Sequence, residues 1–384
     1  MSELALRGVS ALGFVLLLGL AWLTSTHRQR IDRRTILSGI ALQIVLAGLF
    51  LWPPVRAVLF PAIEVPVGLL VEWAGAGAAF LFGPLLEVGP TFALGVLPII
   101  IFMGALLGIL YHIGLVQPIV HLLGRTLSRT MHISGVEGLT AIANIFVGMI
   151  ESGIVVRPYI AGMTRSELFS FMVLGMSTIA GTVLVAYITL LGGGDFAGHL
   201  VVASLISAPA ALVVSKLMLP ETEEPETMGK TPVLVRSEAQ GVIDAAAEGG
   251  LAGMRLALNV GALLIAFVAL IAMLNGLVGW VGGLLGFPDL TLQRILGVLF
   301  APFALLMGSP WAEAVQVGSL LGVKTVLNEF LAFRDLGVLI EAEALSPRSV
   351  VIASYALCGF ANFGSLAILL GGVGGMAPSR RGDL

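Results

Sequence analysis

The chain has 384 residues, 58% of them hydrophobic and only 11% charged, with a mean hydropathy of +1.03 and a formal net charge of −3. A soluble domain carries about 25% charged residues, so this composition excludes a soluble enzyme, and it offers no basic field for a nucleic-acid partner. The single cysteine, Cys358, excludes an internal disulfide and a cysteine-built metal cluster. What remains is an all-α polytopic membrane protein.

A helix that crosses a bilayer needs ~20 apolar residues. Stretches free of Lys, Arg, Asp and Glu reach that length at 8–27, 35–55, 88–124, 168–194, 196–215, 256–288 and 349–379, which predicts seven full spans. The first follows Arg7 but lacks a small-x-small cleavage site and runs into a basic loop, so it reads as a span rather than a signal peptide. Residues 57–86 are apolar but interrupted by Pro61, Glu64, Pro66, Glu72 and Gly83-Pro84, and they suit interfacial helices. Together, 1–86 form an N-terminal scaffold. The first half follows over 87–219 and contains a broken apolar stretch at 138–158, with Glu151 inside it. The acidic run 220–226 predicts a solvated cytoplasmic linker. Residues 237–255 predict an amphipathic helix on the inner surface, so 220–255 divide the chain. The second half, 256–384, contains a stretch at 295–333 interrupted by Pro302, Gly308-Ser309-Pro310, Glu313, Lys324 and Glu329. Broken segments at membrane depth persist only against protein or a wet cavity, so both stretches are expected to be re-entrant helical hairpins.

Orientation follows from the Lys/Arg bias. With the N-terminus outside, 14 basic residues fall inside, from Arg28 in the first loop through Arg236 and Arg255 to Arg381. Only Arg7, Arg56, Arg294, Arg334 and Arg348 fall outside, and Lys324 lies within a membrane segment. The halves also resemble each other. In the first, Asn144 and Glu151 precede Arg165-Ser166 and then a helix containing Thr178; in the second, Asn328 and Glu329 precede Arg348-Ser349 and then Asn362. The two Arg-Ser pairs lie on opposite sides, so the repeats are inverted, which points to a secondary transporter with its site near the midplane.

Glu151 and Glu329 sit in apolar segments, where a carboxylate needs a partner, a proton or a ligand. One reading pairs Glu329 with Lys324 structurally; the other has both acids facing a wet cavity and accepting hydrogen bonds from a solute. Asn144, Asn328 and Asn362 stand beside them, and 359–365 reads as an unwound turn that frees carbonyls. Phe360 and Phe363 either stack on a flat ring or pack in the core. The five histidines are scattered, and no G-x-S-x-G, H-E-x-x-H or Walker motif occurs, so neither a hydrolase nor a nucleotide-driven pump is supported.

At these residues the chain resembles the concentrative nucleoside transporter family. The matching stretches include Ala143-Asn144-Ile145-Phe146-Val147-Gly148, Met163-Thr164-Arg165-Ser166-Glu167-Leu168-Phe169, Thr178-Ile179-Ala180-Gly181, Ala257-Leu258-Asn259-Val260-Gly261-Ala262, Leu327-Asn328-Glu329-Phe330 and Tyr355-Ala356-Leu357-Cys358-Gly359-Phe360-Ala361-Asn362-Phe363. The resemblance implies a homotrimer in a bacterial inner membrane that imports a nucleoside with sodium, needs no cofactor, and has a scaffold and a moving domain with two hairpins. It places ribose at Glu329, Asn362 and Ser365, with Phe360 lining the pocket and Val183 on the base side. It places sodium at Asn144 and Thr178 and at the carbonyls of Val147 and Ile179. Two departures matter. The family's polar base readers at the first hairpin tip, which contains Glu151, are Met149 and Ile150 here, which implies retained ribose recognition with altered base selection. The family also normally has eight spans, continuing into one more helix where this sequence ends at Leu384. Two alternatives stay open: proton coupling through Glu151, and a nucleoside-binding receptor that does not transport.

Overall fold

The computed structural model describes residues 2–88, 92–230, 232, 239–287 and 289–384. Arg236 and the ends of the 88–124, 237–255 and 256–288 stretches therefore lie outside the described residues. Among those described, the regular structure is all helical, with no strand.

The N-terminal helices are α1 (Glu3–Leu23), α2 (Arg33–Phe50) and α3 (Pro53–Phe82). Side-chain caps start the first two: Ser2 accepts from the Ala5 N–H and Asp32 from the Arg34 N–H. Residues 57–86 were expected to break into interfacial pieces, yet α3 runs unbroken through Pro61 and Pro66. Freed backbone groups find no water in an apolar setting, so the helix persists around both prolines. It ends only at Gly83, where φ is +49°. At this length and composition it can cross a membrane, as can six other helical stretches among the described residues.

Next come α4 (Phe92–Gly95), α5 (Leu97–His112), α6 (Val116–Met131), α7 (Gly135–Val147), α8 (Met149–Ile160), α9 (Arg165–Ser177), α10 (Gly181–Leu190) and α11 (Phe196–Met218). After the linker come α12 (Val242–Leu284), α13 (Leu292–Leu306), α14 (Ala314–Val326), α15 (Glu329–Glu341), α16 (Pro347–Leu357) and α17 (Phe363–Met376). The amphipathic helix expected at 237–255 is not separate: it is the start of α12. That helix has 43 residues, or about 65 Å at 1.5 Å per residue, and so exceeds a bilayer core. Its crossing with α5 is lined by Gly249, Gly253, Gly104 and Gly108, whose backbones leave no room for a side chain.

The repeats are legible as two parallel series. In the first, α6 leads to the hairpin α7/α8 and then to the broken helix α9/α10. In the second, α13 leads to the hairpin α14/α15 and then to the broken helix α16/α17. The first hairpin is formed by Gly135–Val147 and Met149–Ile160. The second is displaced from 295–333, because Gly308 (φ +93°) and a 3₁₀ turn at Trp311–Glu313 detach α13, and the hairpin continues to Glu341. The break between α16 and α17 is the unwound turn expected there. The one between α9 and α10 interrupts what reads as a continuous span, with Thr178 and Ala180 in extended backbone. The repeats interlock: α8 packs on α17, and α15 on α10. Helix α11 lies between them and contributes to both main hydrophobic cores.

Candidate functional site

Both hairpin turns and both helix breaks open onto one cavity of about 360 Å³, which α12 also lines. All eight residues expected to hold the solute line it: Met149, Ile150, Glu151, Val183, Glu329, Phe360, Asn362 and Ser365.

The second hairpin tip supplies a fixed polar wall. Asn328 caps α15 by accepting from the Leu331 N–H at 2.9 Å, and Asn362 caps α17 by accepting from the Ser365 N–H at 2.7 Å. The Asn362 Nδ2 also donates to Glu329 at 2.7 Å, and the Tyr187 hydroxyl donates to the other carboxylate oxygen at 2.9 Å. Tyr187 is itself fixed by stacking on Phe333 at 4.5 Å. A carboxylate offers about four acceptor sites, so Glu329 retains acceptor capacity toward the cavity. Of the two readings of Glu329, the structural pair with Lys324 does not form; the Lys324 ammonium donates to the Ala356 carbonyl at 2.8 Å.

The first hairpin tip is built differently. Gly148 adopts φ +99°, a conformation that favours glycine. Met149 and Ile150 are half-buried, and Ile150 packs over Gly372 of α17, where a side chain would collide with it. Glu151 is exposed, folds back toward Gly148, and has no hydrogen-bond or ion-pair partner on another residue among those described.

Of the residues expected at a sodium site, Val147 lies on the cavity wall, whereas Asn144, Thr178 and Ile179 are buried away from it. Asn144 donates to the Leu174 carbonyl at 2.8 Å and to the Thr178 hydroxyl at 2.5 Å. Its buried Oδ1 has no hydrogen-bond partner among the described residues. A buried orphan acceptor is costly. Beside an unwound helix break, it joins the oxygen donors that suit a hard cation.

Sequence reasoning missed Tyr187 and the α12 wall, where Arg255 and Asn259 line the cavity beside Thr182 of α10. The signal was present: Arg255 and Asn259 are polar, four apart, and so on one face of a largely apolar helix. The acidic linker also does more than expected. Glu221 accepts from the Thr164 hydroxyl at 2.9 Å and, together with Glu137, pairs with the buried Lys216. Thr227 accepts from the Val136 N–H at the start of α7. A solvated loop requires none of these contacts, and only part of the run remains exposed.

Inverted repeats with paired hairpins and broken helices around a shared cavity define a membrane transporter fold. Profiles described as Na+ dependent nucleoside transporter N-terminus and C-terminus match residues 12–85 and 199–384, and one for nucleoside recognition matches 93–194. The chain belongs to the concentrative nucleoside transporter family. It is 47% identical over 377 residues to the uncharacterized transporter YutK of Bacillus subtilis, covering 97% of this chain and 92% of that one. It is 36% identical to the putative nucleoside permease NupX of Escherichia coli, covering 98% and 92%. The solved structure of CNTnw in an inward-facing substrate-bound state superposes with a TM-score of 0.91 at 42% identity, covering 98% and 91%.

Proposed function

We propose that this transporter imports a nucleoside together with sodium, holding the ribose tightly and selecting the base loosely. The observation that carries the reading is the asymmetry of the cavity. Glu329, held by Tyr187 and Asn362, faces it as a preorganised acceptor for two ribose hydroxyls. Met149 and Ile150 face it where a base would need polar readers. An apolar pocket separates similar ligands by only ~1–3 kcal/mol, through shape. Phe360 and Val183 complete the wall that the flat base would contact.

Sodium would bind at the orphaned Asn144 Oδ1 with Thr178 and the carbonyls of Val147 and Ile179, next to the first hairpin turn. An ion there orders the tip and completes the solute site, so each ligand favours the other's binding by the same factor. The basic bias of the loops supports an N-terminus outside the cell membrane, and we place the protein there as a homotrimer.

The deciding measurement is uptake of a panel of purine and pyrimidine nucleosides into proteoliposomes, with and without an inward sodium gradient. Sodium-driven uptake of several bases at comparable rates is the expected result. Uptake confined to one base, or driven by a proton gradient without sodium, would overturn it.

A further inference from the structure

One position differs in kind between the repeats. In α7, Asn144 stands four residues before Gly148, the N-cap of α8; in α14, Lys324 stands four residues before Asn328, the N-cap of α15. Both side chains are buried. Each reaches the end of the first segment of its own repeat's broken helix: Asn144 donates to the Leu174 carbonyl in α9, and Lys324 to the Ala356 carbonyl in α16, both at 2.8 Å. Helix α7 packs on α9 as α14 packs on α16. The two side chains therefore occupy one position, repeated by the inverted symmetry.

That position has an electrostatic requirement. A helix cut at membrane depth leaves its last carbonyls without intrahelical donors and concentrates the negative end of its dipole there. Each break therefore favours a cation. The first repeat answers with a neutral amide whose Oδ1 is orphaned, and so leaves an acceptor for an ion from solution. The second answers with an ammonium on the chain itself. Lys324 makes no ion pair within 4.0 Å among the described residues, and both oxygens of Glu329 are held by Tyr187 and Asn362 instead. Its hydrogen bond goes to the break.

We propose that the Lys324 ammonium is a tethered cation filling, in the second repeat, the site that sodium fills in the first, and that it thereby fixes coupling at one sodium ion per solute. This rests on the sodium site proposed above. The second hairpin and its polar wall are then held permanently, while the first waits for its ion. An internal cation also cannot dissociate, so the solute wall stays assembled in the absence of sodium.

The test converts one site into the other. Lys324→Asn copies the amide of the first repeat; Lys324→Met removes both charge and hydrogen bonding. Sodium-dependent uptake, charge moved per solute and sodium-dependent melting temperature are measured for each purified variant, with choline replacing sodium at constant ionic strength. For Lys324→Asn, the sodium dependence should steepen from first to second power, with two charges moved per solute. Lys324→Met should melt lower, with a sodium response no steeper than that of the parent. A folded Lys324→Asn with the parent's first-power dependence would overturn the proposal, as would Lys324→Met acquiring the steeper one. The converse variant, Asn144→Lys, tests the same equivalence without disturbing the second repeat. It should bind solute with no response of melting temperature to sodium, and a retained sodium response would overturn the equivalence. A parent protein that shows no sodium dependence in these assays would instead sink the proposed function.

Discussion

The first hairpin turns at Gly148-Met149-Ile150-Glu151 and the second at Leu327-Asn328-Glu329-Phe330, and the same cavity lies between them. At the second tip the polar side chains are committed: Asn328 caps its helix, and each oxygen of Glu329 has a donor below 3.0 Å. At the first, two side chains are apolar, the turn depends on a glycine with positive φ, and the carboxylate of Glu151 is unpartnered on other residues among those described. Inverted symmetry thus gives two turns with opposite chemistry. A preorganised polar wall fixes a ligand's orientation and penalises any ligand lacking the matching groups. A half-buried apolar wall tolerates variation. Tight recognition of one half of a solute and loose recognition of the other follow from that contrast.

The strongest way to break the contrast is Glu329→Gln. It exchanges a charged acceptor for an amide that donates, and it faces donors already placed by Tyr187 and Asn362. Hydrogen bonds to charged groups contribute about 1.5–3 kcal/mol each, so losing two to the solute should weaken binding ~100-fold or more. Equilibrium binding of radiolabelled nucleoside checks this, and a loss below tenfold would remove Glu329 from the site. Asn362→Ala should follow, because it deletes both the bond to Glu329 and the cap of α17. We expect roughly tenfold weaker binding and a loss of about 1–2 kcal/mol in stability, read by thermal melting in detergent. At the other wall, the double change Met149→Gln and Ile150→Thr installs two polar readers. Base preference, measured as the ratio of uptake rates for the best and worst nucleosides, should sharpen by about tenfold while ribose recognition is retained. An unchanged ratio would show that the first tip does not face the base.

Much of this was legible in the sequence because a membrane makes polar groups conspicuous. Glu151, Glu329 and the Asn-containing turn at 359–365 stand out against apolar neighbours, and the structure gathers them around one cavity. What the sequence concealed was geometry that composition does not encode. Pro61 and Pro66 read as helix breakers, but the apolar surroundings keep α3 intact. Thr178 and Ala180 carry no breaker residue, yet they interrupt α9 and α10, since the local conflict is resolved by packing between repeats. The likeness of Asn144 to Asn328 in the sequence does not reflect their places in the fold. The structural equivalents are Asn144 with Lys324 and Met149 with Glu329, a register visible only once the two hairpin caps are located. Tyr187 was hidden because it reads as one more apolar core residue, and its hydroxyl acquires a role only when α10 meets α15.

Tyr187→Phe gives the smallest effect and the finest test of the contrast. The ring keeps its stacking on Phe333 and its edge contact with Phe330, so the core should hold. Only the hydroxyl that donates to Glu329 is lost. A single hydrogen bond of this kind is worth about 1 kcal/mol net, which predicts roughly fivefold weaker nucleoside binding. The loss should be the same for every base, because the hydroxyl acts on the wall that holds the ribose. It should also shrink when measured in the Glu329→Gln background, where the acceptor is already altered, and this double-mutant cycle separates direct coupling from general destabilisation. A loss that depends on the base would mean that the polar wall reads both halves of the solute, and the division of labour between the hairpins would fail.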